Sequence, residues 1–236
     1  MSDVTTITPP ASYWTKLLPI PPLEQGERLS RQEFERRYEA MPHLNKAELI
    51  EGVVHMPSPV HFTSHSQPHA HIITWLGLYA AATPGVKLGD NATVILDADN
   101  EVQPDALLRL TEGKGGQSRI SQKDYVTGAP ELVVEIAASS ASIDLHEKKH
   151  VYRRNGVQEY LVWQIYNGRI VWFYLEAGEY REMAADESGI IRSRAFPGLW
   201  LAVNALLSED LATVLATVQQ GTHSPEHAQF TDSLTD

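Results

Sequence analysis

At 236 residues, 42% of them hydrophobic and 21% charged, the chain has the composition of a globular protein and length enough for one large domain with extensions. It contains no cysteine, which excludes disulfides, thiolate zinc sites and a cysteine nucleophile. Thirty acidic residues against 19 basic ones give a net charge of −11, which excludes the broadly basic surface of a tight unaided duplex binder.

Part of that excess lies at the end. Residues 221–236 carry Glu226, Asp232 and Asp236 and no Lys or Arg, leaving −8 on residues 1–220. The N-terminus lacks the basic-then-apolar pattern of a secretory signal. No apolar run approaches the roughly 20 residues that span a bilayer, since Ile72 to Ala82 is interrupted by Thr74 and Gly77 and followed by Pro84. A cytoplasmic protein without a membrane segment is expected.

Residues 1–29 hold Pro9-Pro10 and Pro19-Ile20-Pro21-Pro22 and predict an extended arm that Trp14, Leu17 and Leu18 dock on the domain. Ser30-Arg31-Gln32-Glu33 has the form of a capping box, and Phe34, Tyr38 and Met41 continue it as a helix ending before Pro42. Ala47 to Met56 alternates as a hairpin turning at Glu51-Gly52. From Ser66 the period lengthens. Pro68 suits a first helical turn, and Ile72, Ile73, Leu76, Tyr79 and Ala80 form a stripe that stops at Pro84-Gly85.

Val86 to Leu88, Thr93 to Leu96, Pro104 to Leu108 and Leu132 to Ile136 read as strands, the last being the most apolar. Asp144 to Glu147 predicts an Asp-capped helix ending near Asn155-Gly156. A strand over Glu159 to Ile165 follows, with a hairpin at Asn167-Gly168 and a further turn at Ala177-Gly178. The edge exposed by Tyr160 to Leu175 admits a homodimer. Ser208-Glu209-Asp210 caps a last helix bearing Leu211, Val214, Leu215 and Val218, and residues 221–236 are expected to be disordered. This order predicts one α/β domain over residues 30–220, a mixed sheet flanked by helices with an added hairpin.

Two acids stand out. Asp105 and Glu135 lie inside otherwise apolar strands, where an unpartnered carboxylate costs several kcal/mol, so each must be neutralised, paired or given a metal. With Leu145, Val151 and Tyr152 as the buried stripe of the following helix, Lys148 falls about 15° from its centre and Lys149 about 85° away. Lys148 is therefore expected to face inward, towards Glu135. A structural Glu135–Lys148 pair explains those two residues equally well; the third charge, Asp105, favours a metal-dependent hydrolytic site.

Taken together, Glu48-Leu49-Ile50-Glu51-Gly52, Pro104-Asp105, Ala129 to Ile136, Asp144 to Lys148 and Tyr152 to Tyr160 resemble the PD-(D/E)XK nuclease superfamily, and within it the restriction-endonuclease family Uma-two. The resemblance spans roughly residues 30–205. It implies a restriction-endonuclease-like core; Asp105 and Glu135 as Mg²⁺ or Mn²⁺ ligands; Lys148 orienting and helping to deprotonate the attacking water; Glu48 as an additional ligand or base; and a nucleic-acid substrate, DNA. In the broad superfamily the lysine stands two residues after the second acid, where this chain has Ala137, and the Uma-two branch implies that Lys148 supplies the amine instead. Glu51, at a turn, competes with Glu48 and is expected to be solvated.

His61, His65, His69 and His71 invite a zinc reading, but Pro68 between His65 and His69 removes the assured shared face. The resemblance assigns His69 a phosphate or water contact near a helix start. Lys149, Arg153 and Arg154 read as a solvated face and Trp75, Trp163, Trp172 and Trp200 as core. Ser139, Ser140 and Ser142 lack the glycine elbow of a nucleophile. A non-catalytic nucleic-acid- or protein-binding module that keeps the fold is the alternative function.

Overall fold

The computed structural model describes residues 20–56, 60–138 and 140–234. Trp14, Leu17 and Leu18 of the expected arm, and Ser139, lie outside the described residues. From Ile20 the arm runs along the first hairpin: Leu23 is buried, Gly26 N donates to Val54 O, and Val54 N donates to Glu27 O.

Helix α1, Arg31–Glu39, begins at the expected cap, where Ser30 Oγ accepts from Glu33 N. Strands β1, Glu48–Ile50, and β2, Val53–His55, form the hairpin. Its turn residues Glu51 and Gly52 both take positive φ, 52° and 72°, as a two-residue turn of this hand requires, and Asn100 Oδ1 accepts from Glu51 N to hold the strained residue. A π-helical turn, Phe62–Ser66, leads into α2, Gln67–Ala82. Strands β3 (Val86–Asp90), β4 (Val94–Ile95), β5 (Glu101–Val102), β6 (Ala106–Leu110), β7 (Arg119–Ile120), β8 (Val126–Thr127) and β9 (Leu132–Ala137) follow.

Next come a helical turn at Ala141–Ile143, a π-helical turn at Asp144–Lys148 and helix α3, Lys149–Arg154. Asp144 is not the cap expected of it. Its φ and ψ are helical, and its carboxylate is buried, accepting from Ser140 Oγ at 2.6 Å. Strands β10 (Glu159–Gln164), β11 (Arg169–Glu176), β12 (Glu179–Glu182), β13 (Ile190–Arg192) and β14 (Trp200–Ala202) precede α4 (Val203–Leu207), α5 (Leu211–Thr222) and α6 (Pro225–Ser233).

Helix α6 replaces the expected disordered tail. Ser224 Oγ caps it and Pro225 opens it, and His227, Phe230 and Leu234, at helical spacing, seat on the core, with Phe230 edge-on to Phe196 and His227 against Tyr79. The approach is so close that Gly198 leaves no room for a Cβ beside His227.

The main sheet runs β12-β11-β10-β9-β6-β3, with β9 and β10 parallel and the other pairs antiparallel. Its edge is β12 rather than the Tyr160–Leu175 strands, and Glu179, Arg181 and Glu182 make that edge charged. A smaller sheet runs β2-β1-β5-β4-β8-β7. Alternation of period two sorts the main sheet into faces. Ala106, Leu108, Leu132, Val134 and Ile136 pack with Ile72, Trp75, Leu76 and Tyr79 of α2 and Val214 and Val218 of α5. Leu107, Val133, Ala137 and Val162 face the other way, with Val151 and Tyr152 of α3 and with Ile50, Val94, Val102 and Val126 of the smaller sheet. Phe34 of α1 closes the outer side of that sheet on Leu49 and Val54. The layers are thus helices, main sheet, smaller sheet and helix.

Candidate active site

Glu48, Asp105, Glu135 and Lys148 come together where the two sheets meet. In β1, Leu49 points to α1, so Glu48 and Ile50 point to the main sheet. The β6–β9 register, Ala106 opposite Val134 and Leu107 opposite Val133, brings Asp105 beside Glu135, and Asp105 Oδ2 accepts from Ile136 N at 2.8 Å. Lys148 joins them from the π-helical turn: Asp144, Lys148, Val151 and Tyr152 form one buried stripe, and Lys148 Nζ lies 2.9 Å from both Glu48 Oε1 and Glu135 Oε1 and 3.8 Å from Asp144 Oδ1. Tyr152 Oη donates to Glu135 Oε1 at 2.9 Å, and Gln103 N donates to Glu48 Oε1 at 2.8 Å.

Two further side chains meet Asp105. Lys46 Nζ stands 3.4 Å and His65 Nε2 3.3 Å from Asp105 Oδ1. His69 Nε2 lies 2.8 Å from the Asp105 carbonyl and 3.1 Å from Asp90 Oδ1, and the His65 and His69 rings are 5.8 Å apart.

The electrostatics are those of too many acids for the cations present. Burial raises Glu135, Lys148 lowers it, and the neighbouring Asp105, Asp144 and Glu48 push it up to about 8. Asp144 is also raised, chiefly by burial. Burial acts in the same sense on Glu48, but Lys148, Lys46 and the Gln103 N–H outweigh it and hold that carboxyl low. For Asp105 the penalty of burial is overcome by the hydrogen bond from His65, the Lys46 ammonium and the Ile136 N–H, so its carboxyl sits well below the usual range. Lys148 remains an ammonium: burial opposes the charge, but Glu135, Glu48 and Asp144 outweigh it.

Among the described residues no three His, Asp or Glu side chains are gathered as ligands of one ion. In this arrangement the Lys148 ammonium stands between Glu48 and Glu135 as their counter-ion. The donor set nevertheless suits a hard divalent cation: the carboxylates outnumber the ammonium groups, and burial together with the neighbouring carboxylates drives Glu135 towards its proton-bearing form.

The model of the Uma2 family, described as "Putative restriction endonuclease", matches residues 31–204. The chain belongs to the Uma2 family. No curated protein matches it. Among solved structures, the crystal structure of a "putative nuclease belonging to DUF820" from Anabaena variabilis ATCC 29413 is similar, with a TM-score of 0.54 and 12% identity over 80% of this chain and 99% of that one. At that identity the likeness is one of fold.

The four residues carried over from the Uma2 resemblance are therefore neighbours in space, and the expected Lys148 orientation holds. Glu51 is exposed at its turn and paired with Arg154, as a solvated competitor of Glu48 should be. The basic residues of α3 are occupied: Lys149 lies 3.8 Å above the Phe173 ring, Arg153 meets Glu179, and Arg154 meets Glu51 and Asp97. Trp75 and Trp172 are fully buried core, edge to face. His69 contacts backbone and Asp90 here. Lys46, His65, Asp144 and Tyr152 were not anticipated as site residues. Lys46 had a legible signal, since it precedes Glu48 by two and so shares its face; His65 was noticed only within the histidine run, and its contact with Asp105 escaped because a π-helical turn cannot be read from residue type.

Proposed function

We propose that this Uma2 protein is a divalent-metal-dependent endonuclease that hydrolyses phosphodiester bonds of nucleic acid, DNA, by attack of an activated water without a covalent intermediate. The observation that carries the reading is the buried convergence of Glu48, Asp105, Glu135 and Lys148 from four separate elements, with net acidity beyond what Lys46 and Lys148 neutralise. Asp105 and Glu135, with Glu48, would hold Mg²⁺ or Mn²⁺, which when bound supplies Lewis acidity and a water of lowered pKa. The chain's own groups do the rest. Lys148, fixed between two glutamates, orients the attacking water and stabilises charge developing on the phosphoryl oxygens. Glu48, kept ionised by Lys148, Lys46 and the Gln103 N–H, is the group able to accept a proton from that water. Tyr152 and the Gln103 N–H keep the two glutamates in register.

The acidic body implies weak unaided affinity for duplex, so the protein works with a partner or a second copy of itself, and a homodimer supplies the two sites that cutting both strands requires. No helix among the described residues is long and apolar enough to cross a membrane. The test is calorimetric titration of Mg²⁺ or Mn²⁺ beside cleavage of single- and double-stranded DNA. Asp105→Ala is expected to abolish both ion uptake and cleavage, and unchanged values would remove the site. The alternative, a binding module whose acids are structural, finds its support in Lys148 pairing with both Glu48 and Glu135, and Glu135→Gln separates the two, stabilising an over-acidic site but destabilising a satisfied ion pair.

A further inference from the structure

The two lysines of the site spend their donors differently. An ammonium has three N–H groups. Lys148 spends two of its own on Glu48 and Glu135, both at 2.9 Å, with Asp144 farther off at 3.8 Å, and only 5% of its side chain reaches solvent. Lys46 has one long contact among the described residues, 3.4 Å to an Asp105 oxygen already shared with His65, and 20% of its side chain is accessible. Its place follows from the strand: two residues before Glu48, on the face β1 turns to the main sheet.

A phosphodiester arriving at this site is an anion approaching carboxylates. It needs a cation that solvent already reaches and whose donors are not committed. Lys148 is closed off from solvent and keeps two of its three donors on glutamates, which suits it to work inside rather than to receive the substrate. The nearby Lys149, Arg153 and Arg154 are tied to Phe173, Glu179, Glu51 and Asp97.

We infer that Lys46 is the substrate-binding lysine of the site, receiving the non-bridging oxygens of the phosphodiester at the mouth while Lys148 works inside. The inference rests on the nuclease reading. It divides the labour so that Lys46 governs KM and Lys148 governs kcat.

The experiment uses the full chain with Mg²⁺ and a fluorescein-labelled single-stranded oligodeoxynucleotide. Lys46→Met is expected to raise KM about 10- to 100-fold, the loss of one charge-assisted bond, with kcat within a few-fold of the parent. Lys46→Arg should restore KM, whereas Lys87→Met, which removes an exposed charge from β3, should leave it unchanged. Oligonucleotide binding by anisotropy in a Glu135→Gln background should fall by the same factor, and this reading needs no turnover. Unaltered KM and unaltered binding in Lys46→Met, or an equal loss in Lys87→Met, overturns the inference. Cleavage by the parent together with either result leaves the nuclease reading intact, whereas neither cleavage nor ion uptake by the parent removes that reading and this one with it.

Discussion

Replacing Glu135 by Gln tests whether the buried acids form a cation-seeking site or a satisfied ion pair. Gln keeps the shape and the Oε1 acceptor for Lys148 and Tyr152 but cannot ionise. Glu135 is raised from 4.5 to about 8 in the fold, a preference for the neutral carboxyl worth on the order of 5 kcal/mol. Between those values the folded state holds a proton that the unfolded chain has released, so wild-type stability is complete below the unfolded value and is lost as pH rises towards the folded one. At pH 7 the accumulated loss is about 3 kcal/mol; beyond about pH 8 it stops growing. Glu135→Gln lacks this loss. It should therefore be more stable than wild type, by little at pH 5 and by about 3 kcal/mol at pH 7, a rise of about 6–12 °C in Tm for a chain of this size. Thermal or urea unfolding of both proteins in metal-free buffer at about pH 5, 7 and 9 reads it directly. A variant that is less stable than wild type at every pH, with the same slope, would show that Glu135 is an ionised, satisfied partner of Lys148 and would refute the account of an over-acidic site.

Other perturbations bear on the same cluster. Lys148→Met leaves Glu48, Glu135 and Asp144 facing one another without their counter-ion and should cost about 3–5 kcal/mol, part of it recovered when Mg²⁺ is added to the melt. No destabilisation, or none relieved by the ion, would count against the proposed site. Tyr152→Phe removes one buried donor to Glu135 and should lower stability by about 1 kcal/mol in denaturant unfolding, while the core position itself tolerates the ring. Ending the chain at Thr222 strips away Leu234, Phe230 and His227 and should cost about 3–5 kcal/mol, seen as a fall in Tm; an unchanged Tm would mean that α6 adds nothing to the core.

Those features that obey a local rule were legible in the sequence. The cap at Ser30, the Glu51-Gly52 turn, the start of α2 at Pro68 and the Asp210 cap of α5 each depend on a few adjacent residues. Glu135 and Asp105 could be singled out because a charge amid apolar neighbours contradicts its surroundings. What escaped was decided elsewhere in the chain. Asp144 looks like a helix cap locally, but its side chain turns inward to Ser140 and Lys148, and tertiary pairing outweighs the cap. Helix α6 looks too polar to fold until Tyr79 and Phe196, far away in sequence, present a surface for His227 and Phe230. The edge assigned to Tyr160–Leu175 is taken by β12, although the turn at Ala177-Gly178 that returns the chain to that sheet was itself legible.

The position of the amine shows how a spacing rule can fail while its physics survives. Two residues beyond Glu135, where the broad nuclease pattern has lysine, Ala137 is fully packed among Val133, Val162 and Tyr160, and a long charged side chain there would have to displace part of that core. The ammonium is needed within about 3 Å of the glutamate, not at any particular distance along the chain. The π-helical turn meets this need: Lys148 projects from beside the same strand end, with Asp144 and Tyr152 on its stripe, and reaches Glu135 Oε1 at 2.9 Å. Lysine supplied from a helix rather than from the strand can also bridge to Glu48 across the gap between the sheets. It follows that Ala137→Lys, introduced with Lys148→Ala, should not restore activity, because a strand-borne amine at that position does not bridge Glu48 and Glu135; recovered cleavage by this double variant would show that spacing along the strand, and not the bridge between the sheets, defines the site.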